Sequence, residues 1–231
     1  MPARTSGGVV VAFIHPGEVS AFFATSMFGL LLHDRAGSQH IRGLLNEWSS
    51  ANVSQSRNNL VRQFLDHPSD SEWLLFIDAD MAFDAASLDA LLANASEDKA
   101  PIVGGLCFGA DNGNLFPTIY QMAQLEDGRP VTMRVFDYEP NAMVQVAATG
   151  AAFLLIHRTV MEKVEANSYE PAFPWFQETV LAGNPCGEDL TFCLRAGMTG
   201  FPVWVNTAVR VGHHKSHLLT EDLFQTQQVK P

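Results

Sequence analysis

The run Trp73-Leu74-Leu75-Phe76-Ile77-Asp78-Ala79-Asp80 constrains this chain more than any other stretch. Five large apolar residues in succession, with no polar alternation, read as a strand buried on both faces, and such strands belong to largely parallel sheets. The run ends in two carboxylates one residue apart, so Asp78 and Asp80 fall at the strand's carboxyl end. In open α/β sheets that end faces the crevice where ligands bind. If the backbone stays extended, residues i and i+2 project to the same side. Two carboxylates held that way repel unless a cation lies between them or water reaches both, and a hard divalent ion with a diphosphate as co-ligand suits them.

The neighbouring patterns give this strand a place in a repeating order. Residues 9–14 are apolar and β-branched, which predicts a first strand, broken by His15-Pro16-Gly17-Glu18. From Val19 the apolar Phe22, Phe23, Met27, Phe28, Leu31 and Leu32 recur at helical spacing and predict a crossover helix. Residues 44–48 suit a second strand. Ser54 is placed to cap a helix with Leu60, Val61, Phe64 and Leu65 inside, ending by Pro68 and carrying Arg57 in its first turn. After the acidic pair, Asp84 is placed to cap a helix with Leu88, Leu91 and Leu92 inside, and residues 102–108, with Gly104-Gly105, suit the next strand. The order β-α-β-α-β-α-β predicts an α/β fold, a doubly wound, mostly parallel sheet flanked by helices.

The second half reads differently. Residues 109–115 are turn-rich and predict a mobile surface loop. Residues 118–121, 131–136, 143–147 and 152–156 are short strand candidates separated by turns, which predicts a small antiparallel extension. Residues 158–164 look helical, and 169–185 form an aromatic, proline-broken loop whose residues 169–176 either stack on a sugar face or pack inward. Glu188 opens a helix closed by Gly197; its first-turn acids are also explained by the favourable field at a helix start. The apolar pieces 203–205 and 209–211 lead into His213-His214-Lys215-Ser216-His217 and a polar tail. Three imidazoles in five residues furnish a metal ligand or a hydrated turn.

At 231 residues and 47% hydrophobic content, one sizeable core is expected. A single domain over 1–231 is expected; the family resemblance carried by the motifs described below implies that 1–108 is the nucleotide-binding half, 109–217 the acceptor and metal-completing half, and 218–231 a tail. A formal net charge of −11 works against sequence-independent attraction to nucleic acid or anionic membrane. Cys107, Cys186 and Cys193 make neither a Cys-x-x-Cys pair nor an even disulfide framework, which favours a reducing compartment. The best apolar window, 21–32, falls short of the roughly 20 residues that cross a bilayer. A cytoplasmic protein with no membrane partner is therefore expected. Neither Gly-x-Gly-x-x-Gly nor Gly-x-x-x-x-Gly-Lys occurs, which removes the usual cues for dinucleotide cofactors and P-loop enzymes.

Five short motifs in order give the chain a resemblance. They are Ser56-Arg57-Asn58 opening a helix, Asp78-Ala79-Asp80 after a hydrophobic strand, Thr149-Gly150 before an apolar strand, Gly187-Glu188-Asp189, and Val211-Gly212-His213. Over residues 9–215 the chain resembles the GT-A fold glycosyltransferases, in particular the family-two-like group of nucleotide-sugar transferases. The resemblance implies a hexosyltransferase-type enzyme that uses Mn²⁺ or Mg²⁺ and a nucleotide-diphosphate sugar as donor. It implies that Asp80 binds the metal, that Asp78 contacts the ribose or the metal, and that Arg57 approaches the nucleotide. It further implies that His213 is a late metal ligand, with His214 beside it as a departure from the pattern. Asp189 would be the general base with Glu188 at its side, and Thr149 and Gly150 would line the acceptor or sugar side. The acceptor, whether protein, glycan, small molecule or modified nucleic acid, and the oligomeric state are left open. The alternatives are a GT-A-like domain that binds a sugar nucleotide or carbohydrate without turnover, and a sugar-phosphate nucleotidyltransferase. The latter needs a Gly-rich phosphate loop where His15-Pro16-Gly17-Glu18 stands.

Overall fold

The computed structural model describes residues 7–49, 52–66, 71–111 and 114–215; the expected tail, Pro68 and the centre of the predicted 109–115 loop lie outside them. In order, the first half comprises β1 (Gly8–His15), α1 (Ala21–Ala36), β2 (Ile41–Trp48), α2 (Val53–Leu65), β3 (Ser71–Ile77), β4 (Met81–Ala82), α3 (Ser87–Leu92) and β5 (Ile102–Leu106). Then come β6 (Phe108–Asp111), β7 (Asn114–Pro117), β8 (Ile119–Gln124), β9 (Pro130–Arg134), β10 (Met143–Val146), β11 (Ala148–Thr149) and β12 (Phe153–His157). The chain continues through α4 (Arg158–Ala166), β13 (Thr179–Leu181), β14 (Asn184–Cys186), α5 (Glu188–Met198), β15 (Val203–Arg210) and β16 (Gly212–His213).

A seven-stranded sheet with the order β10-β15-β5-β12-β3-β1-β2 forms the centre. The pairs β1·β2, β1·β3 and β5·β15 are parallel, whereas β12 runs against both β3 and β5, and β10 against β15. Five strands (β1, β2, β3, β5, β15) thus point one way and two the other. The fold is a mixed α/β sheet of GT-A-like form.

Both faces of this sheet are covered, as the uninterrupted apolar run of β3 requires. Leu74 and Phe76 project toward α2, α4 and α5, whose Leu60, Phe64, Val160, Met161 and Phe192 share their core. Trp73, Leu75 and Ile77 project the other way, onto Phe23, Met27 and Leu30 of α1 and Leu88 and Leu91 of α3. Each fully buried side chain of this size contributes about 1.5–3 kcal/mol, so β3 is anchored from two sides.

Several expectations change. Asn52, not Ser54, caps α2, its Oδ1 accepting from the Gln55 N–H at 3.0 Å; Ser54 lies inside the helix and is buried. Asp84 accepts from the Ala86 N–H instead of capping α3, which opens at Ser87. In α1 the inward residues are Phe23, Met27 and Leu30, while Phe22, Phe28 and Leu32 are exposed at 57%, 68% and 69%. That helix is apolar nearly all round, so periodicity could not select its inner face. The 109–115 segment contributes to a hairpin, β6·β7, pairing Phe108 with Pro117 and Asp111 with Asn114.

The antiparallel extension is β11-β8-β9, and two of its expected members, β10 and β12, belong to the main sheet instead. β12 is buried throughout whereas β10 is a half-exposed edge strand, and pairing partners distant in sequence decide the sheet membership of both. The pieces 203–205 and 209–211 fuse into β15, which ends at Arg210. The aromatic loop divides: Trp175 and Phe176 are fully buried and build core, whereas Tyr169 is exposed.

Gly105 permits the close approach of β5 to the segment after β15. A Cβ there would stand 3.0 Å from Val211 Cγ2, 3.1 Å from the Phe153 ring and 3.2 Å from the Val209 carbonyl oxygen. We expect Gly105→Val to lower stability by about 1–3 kcal/mol, the range for overpacking a filled core. Urea denaturation followed by circular dichroism measures it.

Candidate active site

β1 leads through α1 to β2 on one side, and β2 leads back through α2 to β3 on the other side of β1, so the carboxyl ends of β1 and β3 lie where the winding reverses. A cavity of about 690 Å³ opens there, with Ile14, Pro16, Ser49, Arg57, Asp78 and Asp80 among its walls and with His213, His214 and Lys215, the last described residues, on another side. The backbone does not stay extended through the acidic pair. β3 stops at Ile77 and the Met81 N–H donates back to the Asp78 carbonyl at 3.1 Å, so residues 78–81 form a turn. The two carboxylates therefore face different partners while lining the same cavity.

Asp78 faces Arg57. Arg57 is 4% exposed, and its guanidinium donates from Nη2 to Asp78 Oδ1 at 3.0 Å, from Nε to Glu188 Oε1 at 3.3 Å and from Nη1 to the Ala151 carbonyl at 3.4 Å. The rings of Phe76 and Phe176 flank it at 5.4 and 5.8 Å. Arg57 is thus no solvated helix residue. It is a buried bracket joining α2, the end of β3 and the start of α5. Burial disfavours its charge, but Asp78 and Glu188 outweigh that and raise its pKa.

Asp80 faces residues 213–215. β16 pairs with β4, setting His213 opposite Met81, and the His214 N–H donates to the Asp80 carbonyl at 2.9 Å. This pairing brings His213 Nε2 to 2.9 Å and Lys215 Nζ to 3.0 Å from Asp80 Oδ2. Burial pushes the Asp80 carboxyl up, but hydrogen bonds from His213 and Lys215 prevail and hold it at about 2. The His213 pKa is raised, chiefly by Asp80. His214 turns elsewhere, its ring 5.1 Å from that of Phe22, so His213 is the imidazole that meets the acidic turn.

The other Nδ1 contact of His213 matters as much. It lies 2.9 Å from the Phe108 carbonyl oxygen, which only accepts, so Nδ1 carries the hydrogen. Nε2 then faces a carboxylate oxygen with its lone pair unless something positive stands between them. A proton or a metal ion satisfies that requirement. A histidine that binds metal commonly donates its second ring N–H to a backbone carbonyl in this manner.

Asp189 sits in the first turn of α5, its Oδ1 accepting from the Leu190 N–H at 2.7 Å. Burial, then the neighbouring Glu188, push its carboxyl up to about 6 against the opposing pull of Arg57. Gly187 and Gly150 make room for it: a Cβ on Gly187 would lie 3.0 Å from Asp189 Oδ1 and one on Gly150 3.5 Å from Oδ2. Thr149 is 1% exposed and donates its hydroxyl to the Thr118 carbonyl at 2.8 Å, so it braces the wall and presents no free hydroxyl. Glu188 also lines a second, more polar cavity of about 440 Å³ with Asn52, Ser54 and Gln177. The structure thus gathers Arg57, Asp78, Asp80 and His213 at one cavity, with Glu188 and Asp189 beside it and Thr149 and Gly150 behind Asp189.

Sequence reasoning gave no role to Lys215 or to the rings around Arg57. Lys215 follows His213 by two residues, and Phe76 precedes Asp78 by two on β3, so both spacings were readable. Among the described residues no group of three or more His, Cys, Asp or Glu side chains is gathered closely enough to hold a metal ion by itself. Asp80 and His213 form a pair. Magnesium and ions like it are commonly held by one or two carboxylates, with substrate phosphates and water completing the shell, so a two-residue donor set fits a metal that arrives with a diphosphate.

No protein-family model matches the chain, and no curated protein matches it in sequence. Solved structures do match in shape. A197 from STIV superposes with a TM-score of 0.55 at 16% identity, covering 90% of this chain and 86% of that one. GalNAc-T7, solved with UDP, GalNAc and Mn²⁺, superposes with a TM-score of 0.57 at 12% identity, covering 91% of this chain. This chain spans 44% of the length of GalNAc-T7. The shared feature is the fold, that of a GT-A-like glycosyltransferase.

Removing the Arg57 guanidinium leaves Asp78 and Glu188 without their cation. Arg57→Ala should cost about 3 kcal/mol or more, as breaking a buried ion pair does. Arg57→Lys should recover only part of this, since an ammonium cannot reproduce the fork. Denaturant midpoints of the three proteins, compared with unchanged slopes, measure both effects.

Proposed function

We propose that this protein is a metal-dependent glycosyltransferase that moves a sugar from a nucleotide-diphosphate-sugar donor to an acceptor hydroxyl. The observation that carries the reading is the Asp80–His213 pair, 2.9 Å apart, with the imidazole's other nitrogen committed to the Phe108 carbonyl. Its support comes from the position of the pair at the carboxyl ends of β1 and β3 and from the fold shared with a structure that holds UDP, GalNAc and Mn²⁺. Asp80 and His213 are the residues that would hold Mn²⁺ or Mg²⁺. The metal, when bound, offsets the negative charge that grows on the leaving diphosphate.

The chain's own residues do the rest. Lys215 brings a further positive charge to the same carboxylate oxygen and is placed to meet a phosphate once the metal takes over Asp80. Arg57 holds Asp78 at the cavity wall, leaving that carboxylate's second oxygen for the ribose or the metal. Asp189 acts as the general base that takes the proton from the acceptor hydroxyl. A carboxyl poised at about 6 is ionised at neutral pH yet basic enough to accept a proton, and such catalysis contributes about 10²- to 10⁴-fold. Glu188 keeps Asp189 basic and anchors Arg57, and Thr149 and Gly150 form the wall behind Asp189 on the acceptor or sugar side.

Three outcomes are expected. Nucleoside diphosphates screened by thermal shift should raise the melting temperature in the presence of Mn²⁺, and EDTA or Asp80→Ala should abolish that gain. Asp189→Asn should keep the metal-dependent shift and lose transfer by at least about 10²-fold; equal loss of donor binding in both variants contradicts the division of roles. The third concerns pH. With a folded value near 6 against 3.8 for an ordinary aspartate, Asp189 favours folding below about pH 4, and that contribution is lost as pH rises through 6. Transfer should therefore rise with pH through about 6. The melting temperature of Asp189→Asn relative to the native protein should be higher at pH 8 than at pH 4.

A further inference from the structure

The central sheet ends differently on its two sides. One edge is β10, four residues long; the other is β2, eight residues long, with no strand beyond it among the described residues. The free N–H and C=O groups of such an edge recruit other strands, and proteins commonly blunt them with Lys, Pro, bulges or short length. β2 contains neither Lys nor Pro, and its one irregularity, at Arg42, leaves residues 43–48 in unbroken register with β1. That register pairs Leu44, Asn46 and Trp48 with Val11, Phe13 and His15, so these three side chains stand on the face of the sheet that α1 covers. Leu44 and Trp48 are nevertheless exposed at 47% and 68%.

The exposed side of α1 continues this surface. Its flank Ser26, Gly29 and His33 faces the segment from β4 to α3. Ser26 Oγ accepts from the Phe83 N–H at 3.0 Å, a Cβ on Gly29 would lie 3.6 Å from Ala85 Cβ, and His33 Nε2 stands 2.9 Å from Asp89 Oδ2. The opposite flank, Ala24, Phe28, Leu31 and Arg35 at i, i+4, i+7 and i+11, therefore leans over the β2 edge. Phe28 and, one turn on, Leu32 are the large exposed apolar residues there. None of Phe28, Leu31, Leu44, Asn46 and Trp48 is acidic, so the net charge of −11 is carried by other parts of the surface.

We propose that this edge is the interface with a second copy of the chain, β2 pairing antiparallel with the partner's β2 about a two-fold axis normal to the sheet. Such an axis keeps each face of the sheet on its own side, so a residue pairs with one of the same facing. Centring the axis on Asn46 sets Leu44 opposite the partner's Trp48, and Trp48 opposite the partner's Leu44, with the two Asn46 amides meeting at the axis. These are apolar–aromatic and amide pairs with no like charges opposed, the kind that stabilise a sheet. An aromatic side chain carries about 150–250 Å². Phe28, Leu32, Leu44 and Trp48 with the strand backbone therefore approach the roughly 800 Å² per partner of a stable interface. A bilayer would leave the edge's backbone groups unpaired, which only another strand prevents. The interface also backs the candidate site: the Trp48 ring lies 5.8 Å from that of His15 and would stand 2.9 Å from a Cβ on Gly17, and Pro16 between them lines the cavity. The proposal does not depend on the glycosyltransferase reading.

The test is sedimentation of the full chain over a range of concentrations, with a reversible dimer expected in the micromolar range. Leu44→Lys and Phe28→Glu, both at exposed positions, should each raise the dissociation constant at least about tenfold, a loss of about 1.4 kcal/mol, with the far-ultraviolet circular dichroism unchanged. Met198→Glu, on α5 and exposed at 88%, should leave the dimer intact. Asn46→Cys puts two thiols face to face at the axis and should give a disulfide-linked dimer on mild oxidation, whereas Val180→Cys, also exposed, should not. A monomer at every concentration overturns the proposal, as does a dimer that survives both Leu44→Lys and Phe28→Glu. Dispersal by Met198→Glu alone, or a dimer in which Asn46→Cys forms no more cross-link than Val180→Cys, overturns it too.

Discussion

A carboxylate oxygen and the lone pair of an imidazole nitrogen cannot rest 2.9 Å apart without positive charge between them, and Asp80 and His213 are held at that distance. The rest of the site follows from how the fold enforces this contact. β16 pairs with β4 directly after the acidic turn, so the last described strand is fastened to the end of the central one. The Phe108 carbonyl fixes which ring nitrogen faces inward. The cation is supplied by a proton when the site is empty of ligand, and the same two donors suit a divalent ion that carries phosphate oxygens with it.

A second charge system stands beside the first and is kept apart from it. Arg57 lies inside the protein, where an isolated guanidinium would be costly, and its donors are spent on Asp78, Glu188 and a carbonyl. That arrangement joins α2, β3 and α5 and sets the position of Asp189 in the first turn of α5. Because Asp78 turns to Arg57 and Asp80 turns to His213, the two acids of the motif have separate work. One braces the wall between α2, β3 and α5, and the other meets His213 and Lys215 at the cavity.

Much of this was legible from the chain. The apolar run of β3 marked the centre of the sheet because a strand covered on both faces leaves no alternation, and its terminal acids marked the crevice. Arg57 and His213 line one cavity with the two acids, and Glu188 accepts a hydrogen bond from Arg57. What escaped the sequence depended on contacts between distant segments. The extended course assumed through residues 78–80 is a turn, because Met81 must leave β3 to meet His213. β12 enters the main sheet between β3 and β5, a choice made by partners far away in sequence. Apolar residues surround α1, so its spacing predicted the helix without selecting Phe23, Met27 and Leu30 as the inner face, and of the two uses open to the aromatic loop Trp175 and Phe176 take the packing one while Tyr169 stays exposed.

The most direct measurement is an anomalous difference map at the manganese edge from crystals grown with Mn²⁺ and UDP. The account predicts a peak bridging Asp80, His213 and the diphosphate, with Lys215 displaced from the carboxylate toward a phosphate oxygen. A map with no peak there, and with His213 still hydrogen-bonded to Asp80 while UDP is bound, would contradict it.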